Sequence, residues 1–174
     1  MAFLRVRVAI AVLLLAPGRA AAQDVTQAAL KAAFIYNFAK FTVWPTDAAP
    51  ADAPLIMCVR GDAAIVVALE RAITGRLIGG RSMIVSSEEA AAAPRACHIL
   101  YVSGVTAAEA ARLVAGLRDV PTLTISDVEG FTKTGGIAQL FYDQGRLSFS
   151  IHAASAARAH LTISSRLLAL AKTR

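Results

Sequence analysis

The chain has 174 residues, 56% of them hydrophobic and 17% charged, with a formal net charge of +6. That length suits one domain with a proper core. Residues 1–22 carry three arginines and no acid, so the chain beyond them is only +3. No Lys/Arg cluster marks it as a nucleic-acid binder.

The chain opens on MAFLRVRVAIAVLLLAPGRAAAQ. Arg5 and Arg7 precede an apolar run from Val8 to Ala16, then Pro17-Gly18 and the small residues Ala20-Ala21-Ala22. This is the pattern of a secretory signal peptide, residues 1–22, cleaved to leave a domain over 23–174. The apolar run is too short to cross a bilayer core of about 30 Å as a helix. No membrane insertion is expected once the leader is gone. The Ala-rich, Lys-poor composition points to a bacterial chain, and with the leader it points to the periplasm.

Asp24 is expected to cap a helix from about Val25 to Thr42, ended by Pro45. At helical spacing, residues 30–41 place Leu30, Phe34, Phe38 and Phe41 on one face, within and just ahead of the segment KAAFIYNFAKFTVWP. Lys31 and Lys40 are expected to send their ammonium groups to water. Asn37 is expected to be a structural amide tying the helix to neighbouring backbone, the alternative being a ligand contact. Phe38, Trp44 and Pro45 are expected to be structural.

LIMCVR (55–60) reads as a buried strand, followed by a helix over 62–74. RSMIVS (81–86) reads as the next strand, with a polar, Ala-rich connection after it that contains Pro94. CHILYVS (97–103) and PTLTIS (121–126) are further strands. Between them lies a helix over 106–118, opened by a capping box of Thr106 and Glu109. GIAQLFYDQGRLSFSIH reads as a β-hairpin with a Gly turn, and 153–172 as one or two helices. The alternation implies a single α/β domain. It should hold a mixed sheet of about six strands, with helices on both faces and a C-terminal hairpin plus helices.

Cys58 and Cys97 are the two cysteines, and an oxidising compartment makes a disulfide between them the expected state. The alternative is two buried thiols. Walker A, GxGxxG, GxSxG and HExxH patterns are absent. His98, His152 and His160 lack the short spacing of a zinc site. No enzyme activity, cofactor or metal is expected. The loop after the fourth strand carries Ser126, Asp127, Glu129, Gly135 and Gly136. It forms a candidate ligand loop, because open α/β sheets bind ligands at the carboxyl ends of strands.

Four stretches carry a resemblance: KAAFIYNFAKFTVWP (31–45), ACHILYVS (96–103) with Cys58, LTISDVEGFTKTGGIAQL (123–140) and ARAHLTISSRLLALAK (157–172). In this order they resemble the YfiR family of bacterial periplasmic regulators. The resemblance implies a compact α/β domain with no catalytic activity. It also implies a homodimer that represses a membrane-bound diguanylate cyclase by binding its periplasmic sensor domain, so lowering cyclic di-GMP signalling and biofilm formation. The alternative is a periplasmic small-molecule receptor or transport accessory. Phe131, Phe141, Tyr142, Phe149 and Ile151 are candidate anchors for the partner, though alternate hairpin residues must face the core. The chain departs from the family in two places. It lacks the second cysteine pair that relatives carry near Thr132 and Gln139. It also reads Phe149-Ser150-Ile151-His152 where the family has Phe-Glu-Ile-Asn.

Overall fold

Alanines favour helix, and the Ala-rich stretch ahead of KAAFIYNF makes the first helix longer than its cap signal suggests. In the computed structural model, which describes residues 18–86 and 96–173, α1 runs Gly18–Lys40 without a break. Its side chains are described from Thr26 onward. Asp24 therefore lies inside the helix and does not cap it. Residues 1–17 of the expected leader lie outside the described residues, as does the polar connection at 87–95 with Pro94.

The helix stops earlier than Thr42. The Thr42 hydroxyl donates to the Phe38 carbonyl at 2.7 Å, closing the last turn. The β-branched pair Thr42–Val43 then forms a short strand, β1. It pairs antiparallel with β8, Thr162–Ile163, a strand the sequence reading merged into C-terminal helix.

The remaining elements follow in order. β2 is Leu55–Arg60, α2 Ala63–Ile73, β3 Met83–Ser86 and β4 Ile99–Val102. α3 is Ala107–Ala115, β5 Leu123–Ser126, β6 Ala138–Asp143 and β7 Arg146–Ile151. α4, Ala153–Arg158, and α5, Ser165–Leu170, flank β8. Thr106 and Glu109 form the expected capping box on α3. Gln144 and Gly145 both take positive φ, 49° and 76°. That pair is what a two-residue hairpin between right-twisted strands requires.

The six-stranded sheet has the order β3-β2-β4-β5-β6-β7. β3 through β6 run parallel and β7 returns antiparallel. The fold is a single α/β domain with helices on both faces. Strand alternation sorts the residues between those faces. Leu55, Met57, Val59, Ile99, Tyr101, Leu123, Ile125 and Leu140 join α1 and α2 in the main core. Cys58, Leu100 and Val102 point the other way and pack with Leu117 beyond α3. Both faces are covered, which is why LIMCVR reads as an unbroken apolar run.

α1 lies across this sheet through Ala28, Ala32, Ile35, Phe38 and Ala39, each buried. The buried stripe follows the alanines more than the phenylalanines. Leu30, expected on that face, is 42% exposed. Small residues at 28, 32 and 39 let α1 approach the sheet and α2 closely, and that packing sets the helix's rotation. No helix among the described residues is long and apolar enough to cross a membrane.

Candidate functional site

The strand order reverses between β2 and β4: the chain goes from β2 out to β3, then crosses back to β4 on the other side. Such switch points open a crevice at the carboxyl ends of the strands. Here the two strand ends close on each other. Gly61 takes φ +113°, and a Cβ there would meet the Ser103 carbonyl oxygen at 2.2 Å. The Asp62 amide donates to the Ser103 hydroxyl at 3.2 Å, and the Asp62 side chain caps α2.

Beside this junction lies an ion pair to which the expected loop contributes one partner. The Lys31 ammonium meets Asp127 Oδ2 at 2.6 Å, with side chains 17% and 26% exposed. The Tyr101 hydroxyl, on a residue with no exposure, donates to the same oxygen at 3.1 Å. Burial first, and then the Asp127 charge and this hydrogen bond, hold the Tyr101 phenol far above its usual pKa, so it stays a neutral donor. Lys31 thus does not reach out to water as its sequence position suggested. A crevice lined by Gln27, Ala28, Lys31, Asp62 and Ala64 lies alongside.

The other members of the candidate ligand loop do not converge on this point. The Ser126 hydroxyl is buried, donates to the Val102 carbonyl at 2.7 Å and accepts from the Val128 amide at 3.0 Å. Glu129 is exposed. Gly135 ends a 3-10 turn, Phe131–Thr134, at φ +106°. A Cβ on Gly136 would meet the Phe131 ring at 2.2 Å. Phe131 itself is buried with Ala110 and Val114 of α3. Gly136 therefore makes room for the loop's own aromatic ring, while Gly135 supplies the left-handed turn end and faces Val114.

The five candidate partner anchors separate as well. Phe131 and Phe149 are interior, at 1% and 8% exposure, and so are corrected to core residues. Phe149 meets Phe38 at 5.0 Å and Phe34 at 5.9 Å, both edge to face. This is where the aromatic helix meets the hairpin. Phe141 and Ile151 are half-buried and lie on opposite faces of the hairpin, while Tyr142 is 46% exposed. The five do not form one patch.

Asn37 is exposed and donates to the Ala33 carbonyl of its own helix at 2.8 Å, so it does not tie α1 to another element. Trp44 is buried, and its indole N–H donates to the His98 carbonyl at 3.2 Å. Pro45 starts a turn whose carbonyl accepts from the Ala48 and Ala49 amides.

Cys58 and Cys97 are joined by a disulfide, with Cα atoms 5.8 Å apart. It ties the middle of β2 to the entry of β4, in the second core. Next to it lies His98, which the sequence marks only as lacking a zinc-site spacing. His98 accepts from the Ile56 amide at Nδ1, 3.0 Å, and its Nε2 sits 3.0 Å from the Ala48 carbonyl. Burial holds its pKa below the usual value, the Ala48 bond works against that shift, and the Arg81 cation adds to it. The sequence signal was a histidine inside a strand, a position where polar rings need partners. Among the described residues, no group of three His, Cys, Asp or Glu side chains could hold a metal ion.

No curated protein matches the chain. The YfiR/HmsC-like family profile matches residues 28–172, which takes in α1 from its first buried alanine, the disulfide, the Asp127 loop, the hairpin and the C-terminal helices. The ion pair between Lys31 and Asp127 joins the KAAF segment to the SDVEGF segment, two of the stretches on which the resemblance rests. By that match the chain belongs to the YfiR/HmsC-like family.

Proposed function

We propose that the protein is a periplasmic, non-catalytic regulator that represses a membrane-bound diguanylate cyclase by binding the cyclase's periplasmic sensor domain. The observation that carries this reading is the family match over most of the chain, in a family that is regulatory and acts on a partner protein. Residues 1–22 supply the export signal and are removed. Repression is a population shift: the protein binds one state of the sensor more tightly than the other. The exposed Tyr142 near the hairpin tip is the aromatic anchor we assign to the partner. Deleting the gene should raise cellular cyclic di-GMP, and a plasmid copy should restore it. Unchanged cyclic di-GMP in the deletion strain contradicts the proposal.

A second reading, a small-molecule receptor, draws on one observation. A groove lined by Ala28, Ala29, Ala64, Val67, Ala68 and Arg71 runs between α1 and α2, adjoining the crevice beside Lys31. A thermal-shift screen separates the two readings. A ligand at a hundredfold its dissociation constant stabilises by about 2.7 kcal/mol.

A further inference from the structure

The loop over residues 46–54 leaves the end of β1 and returns to β2, and two adjacent carbonyls fasten it. The Ala49 carbonyl accepts from Arg81 Nη1 at 2.7 Å. The Ala48 carbonyl accepts from the His98 ring at 3.0 Å. The Ile56 amide donates into His98 Nδ1, so that nitrogen carries no hydrogen and Nε2 carries the one given to Ala48. Both ring nitrogens are thus spent, and only the neutral ring satisfies both partners. His98 is half-buried, and it lines a cleft with Ala48, Cys97, Val120, Pro121 and Thr122.

We propose that His98 is a pH-sensitive clasp: neutral, it fastens the 46–54 loop at the amino ends of β2 and β4, and protonated, it releases the loop. Protonation puts a hydrogen on Nδ1, facing the Ile56 N–H, donor against donor. The ring must then turn away, and the Ala48 contact goes with it. Among the described residues, the charge that acts on the ring, Arg81, opposes its protonation. Arg81 lies on the segment leading to β3 and repels a second cation. On the loop itself, Asp47 Oδ1 accepts from the Ala48 amide at 3.0 Å, and Asp52 is exposed. Among the described residues, the lining of the cleft from β4 and from the segment before β5 adds no titrating group, since Cys97 is in the disulfide. The depressed basicity of His98 follows from this geometry. The periplasm of a bacterium follows the acidity outside the cell, so such a clasp reports on the surroundings without any partner.

The test is hydrogen exchange of the purified protein, read by mass spectrometry on the peptide that spans 46–54. After correction for intrinsic exchange, the loop should stay protected at pH 7.5. As pH falls from the ordinary imidazole value of 6.5 towards the lowered folded pKa of His98, the loop's exchange should rise by up to about tenfold per pH unit, and it should level off below that pKa. The variant His98→Gln carries an acceptor and a donor but never a charge, so its loop should show no such rise. Arg81→Gln removes the neighbouring cation and should move the His98 titration, followed by NMR, to higher pH. A wild-type loop with no pH response overturns the proposal. So does His98→Gln, confirmed folded by its thermal transition, with the same response as wild type. Neither result touches the partner reading, since no partner is present.

Discussion

Lys31 of α1 and Asp127 of the loop after β5 are 96 residues apart in sequence and 2.6 Å apart in the fold. The pair links the central helix to the carboxyl end of the sheet, and Tyr101 braces it from beneath. A largely buried ion pair is costly to break one-sidedly, because the remaining charge is left without a partner. Lys31→Met should therefore lower stability by about 2–3 kcal/mol in urea unfolding, somewhat below the cost for a pair sealed from water. The double variant with Asp127→Leu should recover most of that loss. A single variant as stable as wild type would mean that water compensates the pair.

The aromatic contact between α1 and the hairpin gives the second prediction. Phe38 is 1% exposed and packs on Phe149, so Phe38→Ala should cost about 3–5 kcal/mol. Tyr142→Ala, at a half-exposed position, should change the unfolding midpoint little. The same denaturation series reads both. Comparable losses at the two sites would contradict the assignment of interior and surface on the hairpin.

Much of this arrangement was legible beforehand. The strand periods, the Thr106–Glu109 cap and the Gly turn are local signals, and local signals place elements. What the sequence did not carry was partnership across long separations. Lys31 reads as a solvated charge and Asp127 as part of a ligand loop, because nothing near either in sequence names the other. Thr42–Val43 looked like the end of a helix, because the partner that makes it a strand, Thr162–Ile163, lies about 120 residues on. Phe149 looked like a surface anchor, because alternation says which residues share a face of a hairpin and not which face meets the core. Leu30 was assigned inward on the strength of the phenylalanines, whereas the short alanine side chains decide which side of α1 packs closest. The loop after β5 shows the same limit: nothing in its sequence says that Gly136 lies against the ring of Phe131.

The disulfide gives the third prediction. It closes a sequence separation of 39 residues, and in the chain-entropy account such a loop stabilises by about 4 kcal/mol. Replacing both Cys58 and Cys97 with serine should cost about 2–4 kcal/mol, and adding reductant should not destabilise that variant further. The denaturation midpoint with and without reductant checks both statements. A midpoint unmoved by the double substitution would contradict a structural role.

A fourth concerns the cap of α3. Glu109 accepts from the Thr106 amide and hydroxyl at 2.8 Å each, and these bonds hold its carboxyl below the usual value of 4.5. A depressed folded pKa means stabilisation that is present above the unfolded value and lost as pH falls through the folded one. The Thr106 amide resonance should therefore shift as pH drops below about 4.5, and α3 should fray first at its N-terminus. In Glu109→Gln that titration should vanish. A Thr106 titration that survives the substitution would assign it to another group.

The central claim is that the protein works by binding a partner in the membrane. A pull-down from solubilised bacterial membranes, with the tagged protein lacking residues 1–22 as bait, tests it most directly. The account predicts that a diguanylate cyclase with a periplasmic sensor domain co-purifies with the bait, and that Tyr142→Asp, still folded, loses it. A bait that recovers no cyclase, from membranes shown to contain sensor-bearing cyclases, would contradict it.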